Sequence, residues 1–296
     1  MVFVIFGFVI AVLLLSPGEA HAWGPVTHLV HGATVLSRLS ILAPALQEIL
    51  RRHRDAYLYG CVGADIIHGK KFTRDLRYHC HSWAVGWQVL RGARTDSERA
   101  FAYGYLTHLA GDTFSHNYFV PLQLIISYRA RALKHVYWEA RFDAMQPSEH
   151  WQRVRGVVSR LYPECDDLME HTVERTLFSF RTNKRIFTSV LALHRAEQWR
   201  RLMQRVGTRS RYPLNGDDVE RYDRLCGEAA LETLRYGRAA CCVATDPTGR
   251  DNIARAEYIR KRLRALRRRR ELTPAVHEAI IAKVVPELKA EIGAAL

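Results

Sequence analysis

Apolar residues recur at helical spacing along almost the whole chain, and alternating runs of β-branched residues bounded by turns are scarce. Spacings of three and four residues place side chains on one face of an α-helix, whereas a half-buried strand needs an alternation of two. The 296 residues are 48% hydrophobic and 10% aromatic, which is enough to build a sizeable core. The sequence therefore predicts an all-α protein.

Turn residues divide this pattern into segments. The predicted helices cover residues 26–39, 43–54, 83–90, 97–114, 122–142, 149–161, 167–180, 184–205, 217–242 and 250–270. Between 207 and 218, the stretch GTRSRYPLNGDD replaces the periodic pattern with glycine, proline, asparagine and charge, which indicates a boundary. We therefore expect a helical domain over residues 23–206 and a basic helical C-terminal extension over residues 207–296.

The N-terminal residues 1–22 read MVFVIFGFVIAVLLLSPGEAHA, an apolar run followed by a Pro/Gly break and the small-x-small ending Ala20-His21-Ala22. This order is typical of a secretory signal peptide. Cleavage after it would make Trp23 the new N-terminus, and the protein would be exported, either to a periplasm or outside the cell. No lysine or arginine precedes the apolar run, so a retained membrane anchor is the alternative.

The formal net charge is +14, from 44 Lys and Arg against 30 Asp and Glu. Much of the excess lies in RKRLRALRRRR, which runs from Arg260 to Arg270. Such a cluster attracts phosphate, so peripheral contact with an anionic membrane or binding of nucleic acid is expected there. A solvated face of a long helix is the alternative interpretation.

The stretch AYGYLTHLAGDTFSHNYFVP, residues 102–121, places His108, Asp112 and His116 four residues apart on an otherwise apolar or small-residue background. At about 100° per residue, positions four apart drift by only about 40°, so the three side chains share one stripe of a helix. Buried histidine and aspartate need partners, and a divalent cation satisfies several of them together. A hydrogen-bonded ladder of the same side chains is the alternative.

Three further stretches carry side chains that bind metals. KHVYWEARFD holds His135 and Glu139 at the same four-residue spacing on the next predicted helix. YGCVGADIIHGK offers Asp65 in a glycine-rich turn, and RYHCHSW offers His79 and His81 just before a helix, where a loop can aim side chains into a pocket.

The stretch AWGPVTHLVHG places His28 five residues after Trp23. If cleavage exposes Trp23, its α-amino group and its carbonyl oxygen can chelate a metal in a five-membered ring. Processing would then create a ligand that no internal residue can supply. The alternative is that Trp23 is an aromatic anchor and His28 an ordinary helix residue.

In their order along the chain, these candidates resemble the ligands of the zinc-dependent phospholipases C and, more distantly, those of the zinc nucleases that cut single-stranded nucleic acid. The set is Trp23, His28, Asp65, His81, His108, Asp112, His116, His135 and Glu139. The resemblance covers residues 23–143 and implies an all-α, multi-helix bundle around a cleft that holds three zinc ions.

The resemblance also implies which residues hold each ion. One zinc would be held by Trp23, His28 and a bridging Asp112, its close neighbour by Asp65, His81, His108 and Asp112, and the third by His116, His135 and Glu139. The gap between Asp112 and His116 is shorter here than in the well-known members. The doublet of His79 and His81 leaves two candidates for one zinc-ligand position. His81 is favoured, because its HSW context leads directly into a helix.

The implied chemistry is hydrolysis of a phosphodiester. Two zinc ions bridged by Asp112 would hold a hydroxide between them, because metal coordination lowers the pKa of water to about 7, and the third would neutralise the leaving oxygen. Asp65 and Asp112 are the catalytic candidates, with Asp65 able to bind metal and to accept a proton. A phospholipid is the expected substrate. The alternatives are a single-strand-specific zinc nuclease and a non-enzymatic, metal-stabilised, membrane-associated module.

Overall fold

The computed structural model describes residues 23–67, 78–130, 135–173, 178–194, 197–208 and 210–294. Its α-helices are α1 (Pro25–Ser37), α2 (Pro44–Arg52), α3 (Arg54–Gly60), α4 (Trp83–Gly92), α5 (Asp96–Phe114), α6 (Val120–Ile126), α7 (His135–Met145), α8 (Ser148–Val158), α9 (Pro163–Thr172), α10 (Phe180–His194), α11 (Glu197–Thr208), α12 (Gly216–Tyr236), α13 (Arg250–Arg268) and α14 (Pro274–Ala294). No β-strand occurs within these ranges, so the all-α prediction is confirmed. None of the described helices is both long and apolar enough to cross a membrane. Residues 1–22, where the signal peptide is predicted, lie outside the described ranges.

Helix α5 is the centre of the fold. It begins with a capping box, in which the Thr95 hydroxyl accepts from the backbone N–H of Glu98 and the Glu98 carboxylate accepts from the backbone N–H of Thr95. From Ala100 to Phe114 nearly every side chain is buried, because α1, α3, α4 and α12 pack around this helix. Polar side chains on its inner turns are therefore shielded from water.

Two glycines let the backbones of α3 and α5 approach closely. A Cβ on Gly104 would lie 2.0 Å from the carbonyl oxygen of Tyr57, and one on Gly60 would lie 1.9 Å from that of Phe101. Any side chain at either position would push the helices apart. This contact brings the short 3₁₀ helix Gly63–Ile66, which follows α3, against the middle of α5.

Helix α5 continues without a break into a π-helix, Ser115–Phe119, and then into α6. His116 was predicted to lie on the α-helical stripe of His108 and Asp112, but it lies in this wider winding. Single π-turns inside α-helices occur often at functional sites, because they change where one side chain points.

The single helix predicted over residues 122–142 is wrong, because α6 and α7 occupy this stretch with a turn between them. Where α6 ends, the carbonyl groups of Tyr128 and Ala130 accept hydrogen bonds from the side chains of Arg264 and Arg260 in α13. Side chains from a distant helix thus pair carbonyl groups of the turn that follows α6. The arginine-rich segment therefore has a structural role.

Residues beyond the predicted boundary at 207 take part in the same packing. Helix α12 packs against α1 and α5, and α13 packs against α6 and the π-helix. The guanidinium of Arg141 donates to the carbonyl oxygens of Gly207 and Tyr212, which ties the connecting segment to α7. The boundary itself stays a prediction, but α12 completes the surroundings of α5.

Candidate metal centre

Five buried polar side chains from four segments meet beside the middle of α5. They are His28 of α1, Asp65 of the 3₁₀ helix Gly63–Ile66, His81 just before α4, and His108 and Asp112 of α5, each at most 2% exposed. Asp112 lies between two imidazole rings. Its Oδ1 is 3.1 Å from Nε2 of His28, and its Oδ2 is 3.1 Å from Nε2 of His108.

Asp65 closes the cluster from the opposite side. Its Oδ1 lies 3.2 Å from Nε2 of His81, and its Oδ2 lies 3.9 Å from Nε2 of His28. Nε2 of His81 also approaches Nε2 of His108 at 3.2 Å and Oδ2 of Asp112 at 3.4 Å. All three imidazoles therefore turn the same nitrogen toward two carboxylates.

The cluster fits a bound cation better than it fits a hydrogen-bonded ladder. Although the Asp112 oxygens lie 3.1 Å from the His28 and His108 nitrogens, these contacts lack hydrogen-bond geometry, so both oxygens and Nε2 of His28 are buried polar atoms without a hydrogen-bond partner among the described residues. Leaving such atoms unsatisfied in a dry interior costs free energy, which a shared cation removes. Nitrogen and oxygen donors at this spacing are the ligand types that zinc takes.

The electrostatics favour the protonation states that bind metal. Burial, together with the charge of neighbouring His108, lowers the pKa of His28 to about 4, so its imidazole is neutral near pH 7. Burial alone would raise the pKa of Asp112, but its interactions with the His108 and His28 rings outweigh burial and hold that pKa below its usual range. A neutral imidazole and an ionised carboxylate are the forms that coordinate divalent cations.

Contacts behind the rings orient them. Nδ1–H of His108 donates to the carbonyl oxygen of Cys61 at 3.0 Å, which leaves Nε2 with its lone pair in the cluster. Of the two histidines that the sequence left open, His81 lies in the cluster. Nδ1 of His79 instead accepts from the backbone N–H of His81 at 3.1 Å, so His79 supports the segment.

A second pair lies where α5 passes into the π-helix. Nε2 of His116 is 3.8 Å from Oε1 of Glu139, and both residues are buried. His135 begins α7 one helical turn before Glu139 and is half-buried. Within the described residues, these three do not form a group as close as the first cluster, whose donor atoms include triplets within 4.8 Å of one another.

Trp23 is an aromatic anchor. Its indole Nε1–H donates to the carbonyl oxygen of Gly111 at 3.0 Å, and its ring packs against Phe119 and Phe142 with centroid distances of 4.7 and 4.1 Å. These contacts fasten the beginning of α1 to α5. The predicted role of its amino group as a ligand stays a prediction.

Sequence reasoning missed Asp143, which holds the start of α1. Its carboxylate accepts from the backbone N–H and the hydroxyl of Thr27 at 2.8 and 2.7 Å, and from the backbone N–H of Val26 at 3.4 Å. A Cβ on Gly24 would lie 2.3 Å from this carboxyl group, so only glycine fits there. One signal was available, since Asp143 follows Glu139 by four residues and so shares its helix face.

Comparison with known proteins adds one match. A family model described as zinc-dependent phospholipase C matches residues 27–186, which is more than half of the chain. Searches of curated proteins and of solved structures found no match. The matched segment contains the whole first cluster as well as His116 and Glu139.

Proposed function

The chain belongs to the zinc-dependent phospholipase C family, and on that premise we propose that it hydrolyses the bond between the glycerol backbone of a phospholipid and its phosphorylated headgroup. Water would attack phosphorus, the bond from phosphorus to the glycerol oxygen would break, and that oxygen would take a proton to give diacylglycerol. The observation that carries the proposal is the buried cluster in which Asp112 lies between His28 and His108.

The residues present fit zinc. Two ions would be held by Trp23, His28, Asp65, His81, His108 and Asp112, and a third by His116, His135 and Glu139. Bound zinc lowers the pKa of a coordinated water to about 7 and stabilises charge that develops on phosphoryl oxygens. The family supports zinc binding, and the number of three ions is part of the proposal.

The side chains of the first cluster have separable tasks in this proposal. Asp112 offers one oxygen toward His28 and the other toward His108, so it can join two ligand groups. His108 keeps its Nε2 lone pair because its Nδ1–H is bonded to a carbonyl. Oδ2 of Asp65, 3.9 Å from the His28 ring, would accept the proton released by the attacking water.

For contact with an anionic membrane, we propose the part of the arginine-rich segment that remains exposed. Arg260 is buried and Arg264 bonds to backbone carbonyls, whereas residues 267–270 are exposed. Beside them lies a cavity of about 710 Å³, whose lining includes Arg129, Arg267, Leu272, His277, Glu278 and Ile281. A mixed cationic and apolar lining suits the interface of a phospholipid bilayer.

A parallel substrate assay tests the proposal. Zinc-loaded full-length protein is incubated with phosphatidylcholine vesicles, with the same vesicles containing an anionic phospholipid, and with single-stranded DNA. We expect release of phosphocholine and diacylglycerol, and faster release from the anionic vesicles because the exposed arginines concentrate the enzyme there.

The remaining outcomes of this assay distinguish the two alternative functions. Mononucleotides without diacylglycerol would contradict the phospholipase and support the single-strand nuclease, which the same basic surface would also serve. If zinc is bound but neither product forms, the non-enzymatic, metal-stabilised module is supported instead.

Export and cleavage before Trp23 are proposed together, because only a free terminus supplies the chelating amine. We expect intact-mass analysis of the protein purified from its native host to give a chain that begins at Trp23. A chain that still begins at Met1 would remove this amine from the ligand set and support a membrane anchor.

A further inference from the structure

The loop that leads into α13, residues 245–249, lies directly on His116. The carbonyl oxygen of Pro247 is 2.7 Å from Nδ1 of His116. Gly249 has a φ of +55°, and a Cβ there would lie 2.3 Å from the carbonyl oxygen of His116. The loop therefore touches both the ring and the backbone of this residue, although it lies outside the segment that the family model matches.

Hydrogen bonds hold the loop in place. Trp83 Nε1–H donates to the carbonyl oxygen of Thr245 at 2.9 Å, and the side-chain amide of Asn117 donates to that of Asp246 at 2.8 Å. Asn252, in the first turn of α13, donates to the side-chain oxygen of Asn117 at 2.9 Å. Side chains of α4 and the π-helix thus bind the loop, and α13 binds the Asn117 side chain that contacts it.

A carbonyl oxygen can only accept, so its contact with Nδ1 of His116 determines the tautomer of the ring. The proton lies on Nδ1, and Nε2 keeps its lone pair. Among the described residues, Nε2 of His116 is a buried atom without a hydrogen-bond partner, and it lies 3.8 Å from Oε1 of Glu139. Metal-binding histidines commonly have this arrangement, with the second ring nitrogen donating to a carbonyl or carboxylate.

We propose that the loop 245–249 positions His116, with the Pro247 carbonyl setting its tautomer and Gly249 allowing the backbones to touch. The C-terminal extension thereby completes the ligand group of His116, His135 and Glu139. The expected effect on zinc binding rests on the proposed function, whereas the expected tautomer of the His116 ring does not. Pro247 and Gly249 are positioning residues in this scheme.

The tautomer can be measured on the metal-free, wild-type protein. Long-range proton–nitrogen NMR distinguishes a protonated from an unprotonated ring nitrogen, and the His116 signals are identified by their absence from His116→Gln. Above the ordinary pKa of histidine, we expect a protonated Nδ1 and an unprotonated Nε2. A protonated Nε2 would overturn the proposal without recourse to any variant that perturbs the loop.

The matched pair Gly249→Ala and Gly237→Ala tests the loop itself. Both glycines have positive φ, +55° and +60°, but nothing lies within 4 Å of a Cβ on Gly237. We expect Gly249→Ala to change the NMR signals of His116 and to lower the affinity for one zinc ion by about 10–100-fold. Gly237→Ala should keep the wild-type His116 signals and the wild-type zinc affinity. Equal zinc loss in the two variants would show general destabilisation and would overturn the proposal.

The outcomes separate this inference from the proposed function. If wild-type protein binds no zinc, the proposed function fails while the tautomer measurement still decides the role of the loop. Suppose instead that wild-type protein binds zinc and that Gly249→Ala changes neither the number of zinc ions bound nor the His116 signals. Only the proposed role of the loop is then contradicted.

Discussion

Asp112→Asn is expected to lower kcat/KM on phosphatidylcholine vesicles by about a thousandfold or more, the largest effect predicted for a single side chain in this protein. The substitution keeps the shape of the side chain but removes its negative charge and one of its two acceptor oxygens. Because the two oxygens lie 3.1 Å from His28 and 3.1 Å from His108, the loss affects both ligand groups at once. We also expect bound zinc, measured by elemental analysis, to fall.

The matched control is Asp167→Asn, the same chemical change at an exposed position of α9. It should retain wild-type activity and zinc content, since surface substitutions seldom alter a distant site. The helical circular dichroism of Asp112→Asn should stay close to that of wild type, because an uncharged side chain is easier to bury than a charged one. Wild-type turnover in Asp112→Asn would refute the bridging role.

Local signals in the sequence predicted much of the helical framework. The predicted helix over 97–114 corresponds to α5, whose buried positions follow the apolar spacing of the sequence. The prediction over 122–142 was wrong because periodicity cannot show which distant side chains stabilise a turn. The carbonyls of Tyr128 and Ala130 are paired by arginines from α13, far away along the chain.

The site was predictable where its geometry is local. The four-residue spacing of His108 and Asp112 brings Nε2 and Oδ2 within 3.1 Å. The π-helix that carries His116 was not predicted, because it is a local change in helical winding and no residue pattern in the stretch 102–121 indicates one. Pro247 was also missed, since its carbonyl acts through a fold contact, and a backbone group leaves no signature in the residue type.

A common principle connects the two missed supports, Asp143 and the loop 245–249. Neither belongs to the candidate ligand set, yet each fixes an element that carries a candidate ligand: α1 with His28, and the π-helix with His116. Groups that orient metal ligands are commonly worth a large share of the affinity. The family resemblance therefore identifies the candidate ligands, while the fold identifies what holds them still.

Asp143→Ala is expected to reduce the free energy of unfolding of the metal-free protein by about 3 kcal/mol. The carboxylate accepts hydrogen bonds from two backbone N–H groups and one hydroxyl at the start of α1. Its removal leaves these buried donors without this acceptor. Each buried, unsatisfied group costs about 1–3 kcal/mol, less where water can enter. Urea denaturation followed by circular dichroism measures the change.

Two comparison variants test whether the destabilisation comes from the acceptor oxygens of Asp143. Asp143→Asn keeps one acceptor oxygen beside Thr27, so its destabilisation should fall between wild type and Asp143→Ala. Asp167→Ala, exposed on α9, should change the unfolding free energy by no more than about 0.5 kcal/mol. If Asp143→Ala proves as stable as Asp167→Ala, the carboxylate does not hold α1, and the Trp23 anchor and the packing against α5 and α12 suffice to place His28.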